Sequence, residues 1–174
     1  AGGAAVLASY LQAAAAQAED AAFVVHAGDH VGASPPNSAL LQDEPSIAFL
    51  NLLANAHCSY TGRYAALPWQ IQAVLQPRCN VIGTFGNHEF DEGLAEVLRL
   101  INGGTHAKGP FLEPVWRGAR FPYVSANVLH TATSKPVVPP YTIKFVNGVR
   151  FAVIGAVLKE TPTIVTPSGV AGLT

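Results

Sequence analysis

Two stretches of the chain set hard metal ligands and a titratable ring directly after apolar runs. In the first, Phe23-Val24-Val25-His26-Ala27-Gly28-Asp29-His30-Val31-Gly32, a strand-forming run ends in Gly-Asp, and a second glycine follows three residues after the aspartate. In the second, Val81-Ile82-Gly83-Thr84-Phe85 leads into Gly86-Asn87-His88-Glu89-Phe90-Asp91-Glu92-Gly93, which packs an amide, an imidazole and carboxylates into little more than one turn. Carboxylate and amide oxygens are the donors that hard divalent cations take. His88 and Asp91 stand at i, i+3, where a carboxylate can orient an imidazole if a helical turn forms. Taken residue by residue, simpler roles stay open. Asp29 suits an Asx-turn or a helix cap, Asn87 a left-handed turn, and Asp91 a helix N-terminus, where the helix dipole favours a negative charge.

The surrounding pattern predicts the elements that must hold these loops. Ala4 to Ala18 is rich in strong helix formers, with Val6, Leu7, Tyr10 and Leu11 as its apolar face, and it precedes the strand that begins at Phe23. Asp43-Glu44-Pro45 opens a helix to about Leu53 with an acidic cap, and Ile47, Leu50 and Leu53 form its buried stripe. A short buried strand at Val81–Phe85 and a helix from Glu92 to Ile101 follow. Strands alternating with helices, and ligands at strand carboxyl ends, suit an open α/β sheet, in which active sites collect at that edge. Residues 102–122 form a long irregular connection. A strand is expected at Tyr123–Val128, and a hairpin from Tyr141–Phe145 through Asn147-Gly148 to Val149–Ile154, where Asn-Gly signals a type I′ turn.

Composition narrows the function classes. A chain of 174 residues, 49% hydrophobic and 12% charged, is sized for one domain with a real core. A formal net charge of −1 with dispersed basic residues leaves no electrostatic footprint for polymeric nucleic acid, whereas a small nucleotide held through metals needs none. No apolar run approaches the roughly 20 residues of a transmembrane segment, and no signal peptide is visible.

The motif Gly28-Asp29-x-x-Gly32 followed by Gly86-Asn87-His88-Glu89 resembles the calcineurin-like metallophosphoesterases. The longer run to Gly93 is similar to the 5′-nucleotidase branch. Matching blocks at Phe121–Val128, Pro140–Ile143 and Gly148–Gly155 spread the resemblance over nearly the whole chain. It implies an α/β fold of the metallophosphoesterase type, a β-sandwich flanked by helices in α/β/β/α layers. The cofactors it implies are two divalent metal ions, drawn from Mn, Zn, Mg, Co or Ca, lying about 3.5–4 Å apart. Asp29 would bridge them and Asn87 would bind one through its amide oxygen. His88, oriented by Asp91, would hydrogen-bond the phosphoryl or leaving-group oxygen while water activated by the metals attacks in line. Glu89 and Glu92 read as motif scaffolding or helix-start charges. Asn127 and His30 are candidate substrate-binding residues, and His26 reads as a satisfied core histidine. His57, His106 and His130 show no zinc-site spacing.

The same resemblance predicts that residues 1–174 are a partial metallophosphatase domain, truncated at both ends. A first Asp-x-His strand, later Gly-His-x-His motifs and a C-terminal substrate-recognition domain would belong to a longer chain, and the segment alone would be inactive. The expected substrate is a nucleotide or another small phosphoester. Alternatives within the fold are a 2′,3′-cyclic-nucleotide phosphodiesterase and a sulfur-oxyanion hydrolase; one from another class is a surface binding module without turnover. Residues 57–80 look like an inserted loop bounded by Cys58 and Cys79. These are a disulfide in an exported protein or free thiols in a cytosolic one. Because similar enzymes are commonly exported, the resemblance implies the bond and a periplasmic, cell-surface or secreted location.

Overall fold

In the computed structural model, residues 3–18, 21–60 and 73–174 are described. Helix α1 spans Gly3–Gln17 and buries none of its residues; Val6, Leu7 and Tyr10 are exposed, contrary to the apolar face expected for them. Alanine on every side leaves this helix little contrast between its faces. Strand β1 (Val24–His26) pairs in parallel with β2 (Val81–Gly83), in the register Val24 to Val81 and His26 to Gly83. Parallel pairing requires a crossover, and it contains helices α2 (Pro36–Ala39) and α3 (Glu44–Leu53).

Beyond β2, the strand expected at Tyr123–Val128 is reduced to a single bridge. Gly83 pairs with Tyr123, accepting the Val124 N–H at 2.9 Å and donating to the Pro122 carbonyl at 2.9 Å. The next donors then turn elsewhere, Ser125 to the Pro139 carbonyl and Ala126 to the Gly155 carbonyl, so no ladder continues. Helix α4 runs Leu94–Asn102, two residues later than its sequence pattern suggests, because His88–Phe90 first winds a 3₁₀ turn. Strands β3 (Tyr141–Val146) and β4 (Val149–Ile154) form an antiparallel hairpin, and φ is positive at both Asn147 (48°) and Gly148 (78°), as a type I′ turn needs. A short helix, α5 (Thr161–Ile164), follows. These short sheets and helices make a mixed α/β fold. Among the described residues no helix is long and apolar enough to cross a membrane.

The core lies behind the two strand-end loops. Ile47 and Leu50 of α3, Val97, Leu100 and Ile101 of α4, and Val81 and Phe85 of the β2 segment are all buried in one cluster. Phe85 packs edge-on to Phe90 at 5.5 Å and stacks on Tyr123 at 5.9 Å, which in turn stacks on Phe121 at 5.4 Å. Burying each such side chain is worth about 1.5–3 kcal/mol, so the residues flanking the site are anchored by the core itself. The Arg99 guanidinium, buried on α4, bonds Glu44 at the start of α3 at 2.7 Å and Glu96 at 2.7 Å, while Glu44 also accepts the Leu112 N–H at 2.9 Å. That network ties α3 and α4 to the long connection after α4.

Asp43 does not cap α3 with its side chain. Its carboxylate accepts the Gly32 N–H at 2.8 Å and the Ser38 hydroxyl at 2.6 Å, and so fastens the β1 loop to the start of α3. Cys58 and Cys79 form a disulfide across a separation of 21 residues, a loop whose closure is worth roughly 3 kcal/mol in the chain-entropy account. Of the expected insertion at 57–80, residues 61–72 lie outside the described residues.

Candidate active site

Because β1 and β2 are parallel neighbours, the loops leaving their carboxyl ends emerge side by side. Gly28 has φ +93°, and a Cβ there would collide with the backbone of Gly86. Only glycine lets the two loops touch at this point. The next residue, Asp29, is itself left-handed at φ 53°. Its Oδ1 accepts the His88 backbone N–H at 3.0 Å. A carboxylate from one loop thereby holds the backbone of the other.

The 3₁₀ turn brings His88 and Asp91 together, with Nδ1 of the ring 2.8 Å from Oδ2 of the carboxylate. The pair is solvent-accessible, His88 being 40% and Asp91 32% exposed. The hydrogen bond to Asp91 raises the His88 pKa above its ordinary value, and the negative charges of Asp91, Asp29 and Glu89 add to it. With Nδ1 committed to Asp91, Nε2 is the nitrogen left to meet a ligand. Gly32 (φ +74°) lies against this pair, and a Cβ on it would press the His88 carbonyl and stand 2.7 Å from Asp91 Oδ2. A cavity of about 200 Å³ opens beside His88 and Asp91 and is bordered by Gly32, Ser34 and Glu92.

Glu89 turns inward and is 3% exposed. Its Oε2 accepts the Asp29 N–H at 2.9 Å and the Gly86 N–H at 2.6 Å, and its Oε1 accepts the His30 N–H at 3.0 Å. Burial raises its pKa against the opposing effect of these backbone donors. The sequence marks Glu89 as motif scaffolding or a helix-start charge and carries no sign of its link to the Asp29 loop.

His30, His26 and Asn127 are each held by or buried among neighbouring residues. The His30 ring is engaged by the Ser46 carbonyl, 2.7 Å from Nε2, and packs on His26 at 5.2 Å between centroids, so it braces the loop against α3. His26 is buried among His30, Phe121 and Tyr123. Burial, with a smaller contribution from His30, lowers its pKa to about 3. It is a core histidine but not a satisfied one, since neither ring nitrogen has a hydrogen-bond partner among the described residues. Asn127 is exposed but occupied: its Nδ2 donates to the Val157 carbonyl at 2.7 Å and its Oδ1 accepts the Val157 N–H at 2.9 Å. That two-way clasp ties two chain segments together and uses both ends of the amide.

Asp29 and Asn87 are the remaining oxygen donors at this edge. No donor among the described residues occupies Asp29 Oδ2, and the Asn87 side chain makes no hydrogen bond among them. A free carboxylate oxygen and a free amide oxygen on adjoining loops fit a hard divalent cation chemically. They are an incomplete set, for among the described residues no group of three His, Cys, Asp or Glu side chains is arranged to hold a metal.

Comparison with known proteins gives the same picture. No family model matches the chain. It is 36% identical over 151 residues to the endonuclease YhcR of Bacillus subtilis, covering 87% of this chain and 10% of that protein. It is 37% identical over 161 residues to the cell wall protein Lmo0130 of Listeria monocytogenes (90% and 17%), and 38% identical over 88 residues to a 5′-nucleotidase of Vibrio cholerae (51% and 13%). The chain thus spans under a fifth of the length of each. Among solved structures it is similar to the sulfate thiohydrolase SoxB of Thermus thermophilus, with a TM-score of 0.61 and 19% identity over 95% of this chain and 23% of that one. A Staphylococcus aureus structure assigned as a 5′-nucleotidase gives a TM-score of 0.56 and 20% identity over 87% of this chain and 22% of that one. At these identities the structures speak for the fold. With the paired loops in their order on two parallel strands, the chain is similar to 5′-nucleotidases and related nucleotide phosphoesterases over part of their length.

Proposed function

We propose that the protein containing this chain hydrolyses the phosphoester bond of a small nucleotide, and that the paired loops form one side of its active site. The observation that carries this reading is the double anchoring of His88, by the Asp29 carboxylate at its backbone and by Asp91 at its ring. An imidazole fixed at one nitrogen, raised in pKa and open at the other is suited to donate a hydrogen bond to an oxygen on which charge develops. Asp29 and Asn87 would hold divalent cations, two in the complete site. Such cations supply Lewis-acid polarisation of the phosphoryl group and acidify water.

The reading extends to the rest of the protein. The further ligands would come from an Asp-x-His strand and Gly-His-x-His motifs elsewhere in a longer chain. Added strands would complete the four-layer sandwich, and base recognition would fall to a C-terminal domain. The isolated 174-residue segment, holding only Asp29 and Asn87 of the ligand set, would hydrolyse little. Export to the cell surface or beyond is supported by the Cys58–Cys79 disulfide and by the likeness to a cell wall protein.

A second reading has an observation of its own. The 36% identity to a protein named an endonuclease spans 87% of the chain, so a polymeric phosphodiester enters as an alternative substrate despite the net charge of −1. The test is an assay of the full-length protein with a nucleoside 5′-monophosphate, a 2′,3′-cyclic nucleotide, single-stranded DNA and a sulfur-oxyanion ester, each with and without chelator. Phosphate release from the monophosphate that ceases on chelation is the expected result. Hydrolysis confined to another substrate reassigns the reaction, and no hydrolysis of any of them in the metal-loaded protein leaves a binding module.

A further inference from the structure

We propose that Glu89 is the positioning residue of this site, a buried carboxylate that sets the spacing between the Asp29 loop and the His88 loop by gathering backbone donors from both. This rests on the reading of Asp29 and His88 given above. Its three contacts come from two loops separated by some sixty residues of chain: Asp29 and His30 on one side and Gly86 on the other. Glu89 lies among the proposed site residues in sequence, since Asn87 and His88 precede it directly and Asp91 follows two residues later. Among the described residues its carboxylate hydrogen-bonds none of the atoms proposed to meet metal or substrate.

The geometry demands a carboxylate of this length. Oε2 serves Asp29 and Gly86 together while Oε1 serves His30, so both oxygens must accept at once. A carboxamide has one acceptor oxygen. With that oxygen kept on Asp29 and Gly86, the amide NH₂ of Glu89→Gln would face the His30 N–H, donor against donor, and flipping the group would set it against the other two. Glu89→Asp keeps the charge but is one methylene too short to reach both loops. Displacements of about 1 Å at reacting groups cost on the order of 100-fold in rate, and Glu89 is where such a displacement would begin.

The experiment compares Glu89→Gln and Glu89→Asp with Glu44→Gln in the full-length protein at saturating divalent cation. Glu44 is equally buried and also bonded, to Arg99 and Leu112, but lies on α3 outside both loops. We expect the Glu89 variants to lose on the order of 100-fold in kcat per folded molecule with KM changed less than about threefold. Glu44→Gln should lower Tm and leave kcat per folded molecule as it was. Amide hydrogen exchange gives a readout that needs no turnover. In Glu89→Gln the His30 amide should exchange faster, while Gly32, held by Asp43, keeps its protection. Unchanged kcat in the Glu89 variants, or a loss explained by the unfolded fraction, would overturn the proposal.

If neither Glu89 variant folds, exchange in the wild-type protein decides. Slow exchange at Asp29, His30 and Gly86 supports the clamp, and exchange as fast as at exposed loop amides overturns it. If the wild-type protein hydrolyses nothing, the proposed function fails, and the exchange pattern in Glu89→Gln still tests the clamp by itself.

Discussion

The Asp29 carboxylate accepts the His88 backbone N–H at 3.0 Å, so the residue proposed to bind metal also fixes the position of the residue proposed to act on substrate. One oxygen is used on the protein, and the other, which has no donor among the described residues, is the one proposed to meet a cation.

Asp29→Ala in the full-length protein should abolish binding of at least one divalent cation, because a bridging carboxylate neutralises both. Asn87→Ala should weaken one site and spare the other. Metal content per chain, measured on the purified variants by elemental analysis, checks both. Two ions retained in Asp29→Ala would rule out the bridging role.

Gly32→Ala places a methyl group against the His88 carbonyl and Asp91 Oδ2, at a φ of +74° that alanine adopts only with strain. We expect a destabilisation of about 1 kcal/mol or more, accompanied by a loss of kcat beyond that of Asp91→Asn, because the whole 3₁₀ turn is displaced. Denaturant unfolding and steady-state kinetics measure the two effects. Wild-type kcat in a Gly32→Ala protein of lowered stability would show that the turn tolerates the displacement.

Lys144 supplies a pH dependence remote from the site. It is fully buried on β3, its Nζ donates to the Gln76 carbonyl at 2.8 Å, and among the described residues it forms no salt bridge. Burial lowers its pKa from the ordinary 10.5 to about 8. The folded state therefore releases this proton before the unfolded state does. Between about pH 8 and 10.5 the unfolded chain binds more protons, and stability should rise with pH by up to on the order of 1 kcal/mol per unit. Lys144→Met should remove this contribution. Denaturant midpoints across that range check it, and equal slopes for wild type and variant would contradict the assignment.

Local and periodic features were legible in the sequence. The strands that lead into the Gly28 and Gly86 loops, the buried stripe of Ile47 and Leu50, and the Asn147-Gly148 turn all depend on neighbours within a few residues. Features set by distant partners were not. The strand at Tyr123–Val128 ends early because Ser125 and Ala126 donate to Pro139 and Gly155. Asp43 carries a cap signature, yet bonds Gly32 and Ser38. His30 and Asn127 look available until Ser46 and Val157 are brought against them. Glu89 is the clearest case, because two of its three donors lie about sixty residues earlier in the chain. No spacing rule connects them.

The most direct test of the central claim is the double-mutant cycle of His88→Asn and Asp91→Asn in the full-length protein, with kcat and bound metal measured on every member. His88→Asn should lower kcat by about 10²–10³-fold, the scale for losing one donor to a developing charge, while metal content stays at the wild-type value. Asp91→Asn should lower it less, and the double variant should be no slower than His88→Asn, since Asp91 acts through the ring it bonds. Unchanged kcat in His88→Asn, or loss of metal from it, would contradict the account.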